Sequence, residues 1–151
     1  MSIEISPKSF FEQPSVADMR LIACPGAEEL CKLVDSHLVR WAREVGNTDV
    51  DTFIIPSDCP RFQSGDAKGL VKASTRGDDL YIFVDPGNYS VTYQLFGYEN
   101  HLSPDDHFQN LMRLIQAVAG RAHRISVIMP SLYGGRQHRR VSRESLDCAY
   151  A

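Results

Sequence analysis

Residues 133–140 read YGGRQHRR, three arginines, a glutamine and a histidine set directly behind the apolar run ISVIMPSL at 125–132. Guanidinium groups fork onto phosphate and carboxylate oxygens. The N–H groups of a glycine-rich turn, followed by the amino end of a helix, favour anions as well. Arg136, Arg139, Arg140 and Arg143 are therefore candidates for neutralising phosphates. A nucleic-acid patch and a solvated basic loop stand as the alternatives. The stretch has neither the GxxxxGK[ST] spacing of a P-loop nor the GxGxxG of a dinucleotide fold, which disfavours a P-loop kinase.

Other groups with chemistry are less organised. QSGDAKG (63–69) is glycine-rich, a pattern that more often marks a turn. His101 and His107 flank Asp105 and Asp106, and these are metal-ligand types. The two acids equally suit the start of a helix, and no third ligand is fixed, so no metal site is assigned. Cys24, Cys31, Cys59 and Cys148 contain no CxxC pair. The first residues lack the basic and apolar regions of a signal peptide, so reduced thiols in the cytoplasm are expected. No GxSxG and no paired cysteine and histidine mark a nucleophile.

Composition narrows the classes. A net charge of −3 argues against a dedicated nucleic-acid binder, so the basic feature is local. With 43% hydrophobic and 23% charged residues, the chain has the balance of an ordinary globular domain. No apolar run approaches the length that spans a bilayer. The 151 residues suffice for one domain.

The elements that must position these groups follow from periodicity. Residues 1–18 read as a lead-in and 19–151 as the domain. MRLIAC (19–24), DTFIIP (51–56), GLVKAST (69–75), DLYIFVD (79–85) and RISVIMP (124–130) read as strands, the fourth suited to a central position covered on both faces. Leu30, Val34, Leu38, Trp41 and Val45 make a helical face ending at Gly46 and Asn47, with Trp41 in the core or at an oligomer contact. A second helix is expected over 103–123, with Ser103 as N-cap, Pro104 at N1 and acids in its first turn. A third is expected from SRESLDCAYA (142–151). The Tyr-rich connection 86–102 exceeds ordinary loop length, so it should be functional or hold short elements of its own. The sum is a three-layer α/β fold, a mostly parallel sheet with helices on both faces. Its last helix is short, and the chain is expected to be the N-terminal part of a longer protein.

Four segments in order resemble the N-terminal domain of the ribose-phosphate pyrophosphokinase (phosphoribosyl pyrophosphate synthetase) family. RFQSGDAK (61–68) is similar to its Arg-Phe-Ser-Asp-Gly-Glu loop, and STRGDDLYIFVD (74–85) to its Ser-Val/Ile-Arg-Gly strand start. DDHFQNLMRLIQAVAGRAHRISVIMP (105–130) is similar to its N-x-x-x-M-E-L-L … A-x-R-I-x-V-V-I-P pattern. YGGRQHRR followed by SRESL is similar to Tyr-Ala-Arg-Gln-Asp-Arg/Lys followed by Ser-Arg-Glu-Pro-Ile.

The resemblance implies a phosphoribosyltransferase-like fold. It also implies an enzyme that moves the β,γ-pyrophosphoryl group of ATP to the C1 hydroxyl of ribose 5-phosphate, with Mg²⁺. The family works as homo-oligomers whose ATP site is shared between subunits, without nucleic acid or membrane. Arg136 and Gln137 would meet ATP from one subunit, while Phe62, Ser64 and Asp66 would surround adenine from its neighbour. Ser74, Arg76, Ser142 and Arg143 match positions of a regulatory phosphate site. The Mg²⁺ ligands and the catalytic groups are expected beyond residue 151, so the chain alone should be inactive. Ser64 and Asp66 stand where the family has Asp and Glu, and His138 where it has Asp, as in a divergent branch. A non-catalytic homologue that binds nucleotide or a synthetase partner is the second reading, and a nucleic-acid module on the Arg136–Arg143 loop the third.

Overall fold

The structure is a computed structural model describing residues 6–11 and 15–150. The rest of the lead-in, residues 1–5 and 12–14, and the last residue lie outside the described residues. A short helix, α1 (Pro7–Phe11), precedes the first strand, β1 (Met19–Ala23). Then come α2 (Glu28–Glu44), β2 (Ser57–Asp58), β3 (Leu70–Val71) and β4 (Asp79–Phe83). β5 (Thr92–Leu95), β6 (Tyr98–His101), α3 (Pro104–Val118), β7 (Arg124–Ile128) and α4 (Asp147–Tyr150) complete the order.

The main sheet is parallel, in the order β1-β4-β7, with Leu21 opposite Tyr81 and Ile82 opposite Val127. Alternation along each strand sends side chains to two cores. Ile22, Leu80 and Ile82 pack with Leu111, Leu114 and Val118 of α3. Leu21 and Phe83 pack with Cys31, Leu38, Val39 and Ala42 of α2. One helix thus covers each face, which gives the expected three layers with β4 central. Among the described residues no helix is long and apolar enough to cross a membrane.

α3 starts and α2 stops as their sequences direct. Ser103 Oγ accepts from the Asp106 N–H at 3.2 Å, and Asp106 Oδ2 accepts from the Ser103 N–H at 3.0 Å, a reciprocal capping box with Pro104 in the first turn. α2 closes on Gly46, whose φ of +90° only glycine adopts cheaply. The Gly46 and Asn47 N–H groups return to the carbonyls of Arg43 and Ala42.

Four expected elements differ. Segment 51–56 lies beside β1 through a single parallel bridge, Leu21 to Ile54, and forms no strand. Its Phe53 N–H, which faces β1, is taken by Asp35 Oδ1 at 2.7 Å, so a side chain competes with the ladder. The strand expected over 69–75 shrinks to β3, paired antiparallel with β2. α3 stops at Val118, ahead of Gly120 at φ +73°, five residues short of expectation. The last helix begins at Asp147 rather than at 142, because the Glu144 carboxylate holds the Val141 N–H and the Ser142 hydroxyl in a turn. The long connection carries its own hairpin, β5–β6, turning at Phe96 (φ +51°) and Gly97 (φ +82°). Two positive φ angles make the twisted turn that suits a two-residue hairpin.

Candidate functional site at the first turn of α3

In an open parallel sheet, the strands' carboxyl ends and the following helix starts form the natural ligand crevice. Here α3 begins beyond β4, and the arginine loop leaves β7 at the same end. Adjacent acids in the first turn of α3 hold two different loops. Asp106 Oδ1 accepts from Arg61 Nη2 at 2.8 Å, and Asp105 Oδ1 accepts from the Tyr133 hydroxyl at 2.8 Å. The Tyr133 ring also stacks on Phe108, centroids 4.3 Å apart and planes 7° from parallel.

The first loop, 61–68, is closed on itself. The Phe62 N–H donates to the Asp66 carbonyl at 2.8 Å, and the Gly65 N–H to the Phe62 carbonyl at 2.9 Å. Gly65 stands at φ +96°, and its carbonyl receives Arg61 Nη1 at 2.6 Å. Phe62 is 49% exposed at the loop's tip, with Lys68 Nζ 6.0 Å from its ring centroid. The Ser64 hydroxyl donates to the Asp66 carboxylate and holds it below the ordinary carboxylate range. Burial alone would raise Asp106, but the Ser103 N–H, the Arg61 guanidinium and the Ser103 hydroxyl outweigh it and keep that carboxyl below its usual value.

The second loop, 133–147, is held at its ends and open between. Gly134 adopts φ +68°. Arg136, Arg139, Arg140 and Arg143 make no ion pair among the described residues. Unpaired guanidinium groups of this number on one loop fit anions. The helix part of the anion reading is corrected: α4 starts later, and its Asp147 N–H goes to Gln137 Oε1 at 2.8 Å. Gln137 is thereby a cap for α4, a role its neighbours in sequence did not reveal. His138 turns its Nδ1 to the Arg136 carbonyl at 3.2 Å.

The N-terminal domain family of ribose phosphate pyrophosphokinase matches residues 19–151. The chain belongs to this family. Among solved structures it is similar to a phosphoribosylpyrophosphate synthetase from Mycobacterium smegmatis, with 22% identity and a TM-score of 0.55, over 86% of this chain and 36% of that one. That likeness bears on the fold. The chain therefore spans little more than a third of the synthetase it resembles. No curated protein matches.

Within this family's frame, the structure brings some expected residues together and separates others. Phe62, Ser64 and Asp66 share one loop, and Arg136 and Gln137 share another, both anchored on α3. Ser74 and Arg76 are exposed and lie just before β4, at the amino ends of the strands. Ser142 and Arg143 are exposed on the segment that leaves the carboxyl end of β7.

Among the described residues, no group of three or more His, Cys, Asp and Glu side chains is arranged to hold a metal ion. His101 stacks on Tyr89 and His107 is buried with Nε2 at the Asn88 carbonyl, 2.8 Å away, while both first-turn acids serve as tethers. The buried thiols of Cys31 and Cys59 are no better placed for chemistry, since burial pushes them up to about 12 and about 11. Reading the sequence missed Arg61 and Tyr133. The available signal was an arginine directly before the loop's aromatic residue and a tyrosine at the start of the other loop.

Proposed function

We propose that this chain is the nucleotide-binding N-terminal half of a ribose-phosphate pyrophosphokinase. The observation that carries the reading is the first turn of α3, which anchors an exposed aromatic loop with one acid and a loop of unpaired arginines with the next. Adenine stacks on an aromatic face and accepts polar partners at its edge, a task for Phe62, Ser64 and Asp66. The arginines neutralise the polyphosphate, and pyrophosphoryl transfer to ribose 5-phosphate depends chiefly on such positioning and charge neutralisation. Among the described residues no group of His, Cys, Asp and Glu side chains is arranged to hold a metal ion, and in this reading Mg²⁺ is held by groups outside this chain. In this reading the protein works in the cytoplasm as a homo-oligomer with a shared ATP site, and Arg136 faces a neighbour's Phe62.

Calorimetric titration with ATP tests it. Arg136→Ala should weaken binding about tenfold or more, as the loss of a hydrogen bond to a charged group does. Unchanged affinity would sink the assignment. A second reading, a non-catalytic homologue that binds nucleotide, draws on Gln137, whose amide oxygen is already engaged in capping α4. It retains ATP affinity but yields no phosphoribosyl pyrophosphate in the intact protein, which an activity assay decides.

A further inference from the structure

Arg61, at the start of the first loop, ties that loop to two other parts of the chain. Its side chain is 13% exposed. One arm of the guanidinium reaches the Gly65 carbonyl at 2.6 Å, inside the loop, and the other reaches Asp106 at 2.8 Å, on α3. Its plane lies over the Tyr93 ring, 4.1 Å from the centroid, and Tyr93 belongs to β5. A Cβ placed on Gly65 would touch Leu95 Cδ2 at 3.4 Å, so the loop also lies directly against the hairpin. One cation thus joins three pieces of chain far apart in sequence. A lysine can make one of these contacts at a time, because its ammonium is a point charge without a fork or a flat face.

We propose that Arg61 is a positioning residue for base recognition, and that through Tyr93 the β5–β6 hairpin takes part in selecting a nucleotide over bare polyphosphate. The inference rests on the reading of Phe62 as the base-facing residue. Phe62 is half exposed, with the Lys68 ammonium 6.0 Å from its ring centroid; its position depends chiefly on the loop's backbone, which Arg61 closes from the carbonyl of Gly65. The arginines at 136–143 bind phosphate independently of this tether. Loss of Arg61 therefore removes discrimination by the base and leaves phosphate affinity in place, a split that general destabilisation does not produce.

The test compares ATP with inorganic tripolyphosphate by calorimetry on the wild-type chain, Arg61→Ala, Arg61→Lys and Tyr93→Leu. The wild type should prefer ATP. Arg61→Ala and Arg61→Lys should each reduce that preference about tenfold, the scale of one base–aromatic stack, with tripolyphosphate affinity within about twofold. Tyr93→Leu should reduce it about threefold, the scale of a cation–π contact. Preserved preference in Arg61→Lys, or equal losses for both ligands, would overturn the positioning role. Amide hydrogen exchange gives a reading without ligand: Phe62 and Gly65 should exchange faster in Arg61→Lys while β4 amides keep their rates, and unchanged loop rates would also overturn it. A wild-type chain with no preference for ATP would overturn the base-binding reading and the selection role with it, whereas loop ordering by Arg61 would still stand or fall on the exchange rates.

Discussion

Asp105 and Asp106 differ by one position and one partner, and they do unequal work. Asp106 sits 27% exposed by side chain, closes the capping box and holds a guanidinium that is itself mostly buried. Asp105 is exposed and holds a tyrosine hydroxyl. The loop on Asp106 is built before any ligand arrives, with its backbone bonds internal and its aromatic tip presented. The loop on Asp105 is pinned at Tyr133 and Gln137 and carries its charge unpaired. A flat base is best met by a preformed face, because ordering a loop on binding costs affinity. A polyphosphate tolerates mobile cations, because charge attraction acts at a distance and in many geometries.

The sharpest way to break this contrast is Asp106→Ala. It removes the acid of the capping box, worth about 1 kcal/mol, and leaves Arg61 part-buried without its carboxylate, about 2 kcal/mol more. Urea unfolding should show a loss of about 3 kcal/mol. A loss no greater than that of Asp105→Ala would abolish the distinction between the two acids.

Gly69→Ala comes next. A Cβ there would lie 2.5 Å from the Arg113 carbonyl oxygen, so the base of the first loop rests directly on the backbone of α3. Overpacking of this kind costs about 2 kcal/mol. Gly134 in the second loop stands at φ +68° with its added Cβ 3.2 Å from the Asp147 carbonyl carbon, a looser approach, and Gly134→Ala should cost about 1 kcal/mol. Both changes can be followed by the same urea midpoints, and reversal of their order would show that the arginine loop is the more tightly built of the two.

How far the sequence disclosed this arrangement depends on the range of the interactions. The capping box, the sheet's central strand and the glycine stop of α2 were legible because their causes lie within a few residues. Ser103 and Asp106 are three apart, and β4 shows its two-sided burial as an apolar run. Segment 51–56 reads as a strand but forms only a bridge, because Asp35, seventeen and eighteen residues away, takes Thr52 and Phe53. Gln137 was legible as a polar residue beside an arginine, but its bond to the Asp147 N–H spans ten positions. Arg61 reaches Asp106 across forty-five, a pairing that no periodicity records. The four segments resembling the synthetase family placed the loops in order, and the α3 turn that joins them became visible in three dimensions.

Acid and alkali should loosen the two tethers separately. Asp106 is held below its ordinary value in the folded chain, so its contribution is fully present above the unfolded pKa of about 3.9 and is lost as pH falls through the lower native value. Tyr133 moves the other way, because its hydrogen bond to the Asp105 carboxylate raises its pKa. That contribution is present below about pH 10 and is lost as pH rises through the raised native value. NMR titration of the Asp106 carboxyl carbon and the Tyr133 ring carbon reads each directly. Movement of the Asp106 midpoint upward, or of the Tyr133 midpoint downward, would contradict the tether concerned.

Tyr133→Phe should have the smallest effect on stability. It deletes the hydroxyl that binds Asp105 but keeps the ring stacked on Phe108, and both partners of the lost bond face solvent. An exposed hydrogen bond of this kind contributes under about 1 kcal/mol net, since water replaces it. The urea midpoint should scarcely move, yet the Gly135 and Gln137 amides, whose bonds to the Leu132 and Gly134 carbonyls form the turn behind Tyr133, should exchange faster. Asp106→Ala at the neighbouring position should accelerate the Phe62 and Gly65 amides instead and leave 135 and 137 near their wild-type rates. Crossed effects, with either substitution loosening both loops equally, would mean that the first turn of α3 acts as one hinge rather than as two independent anchors.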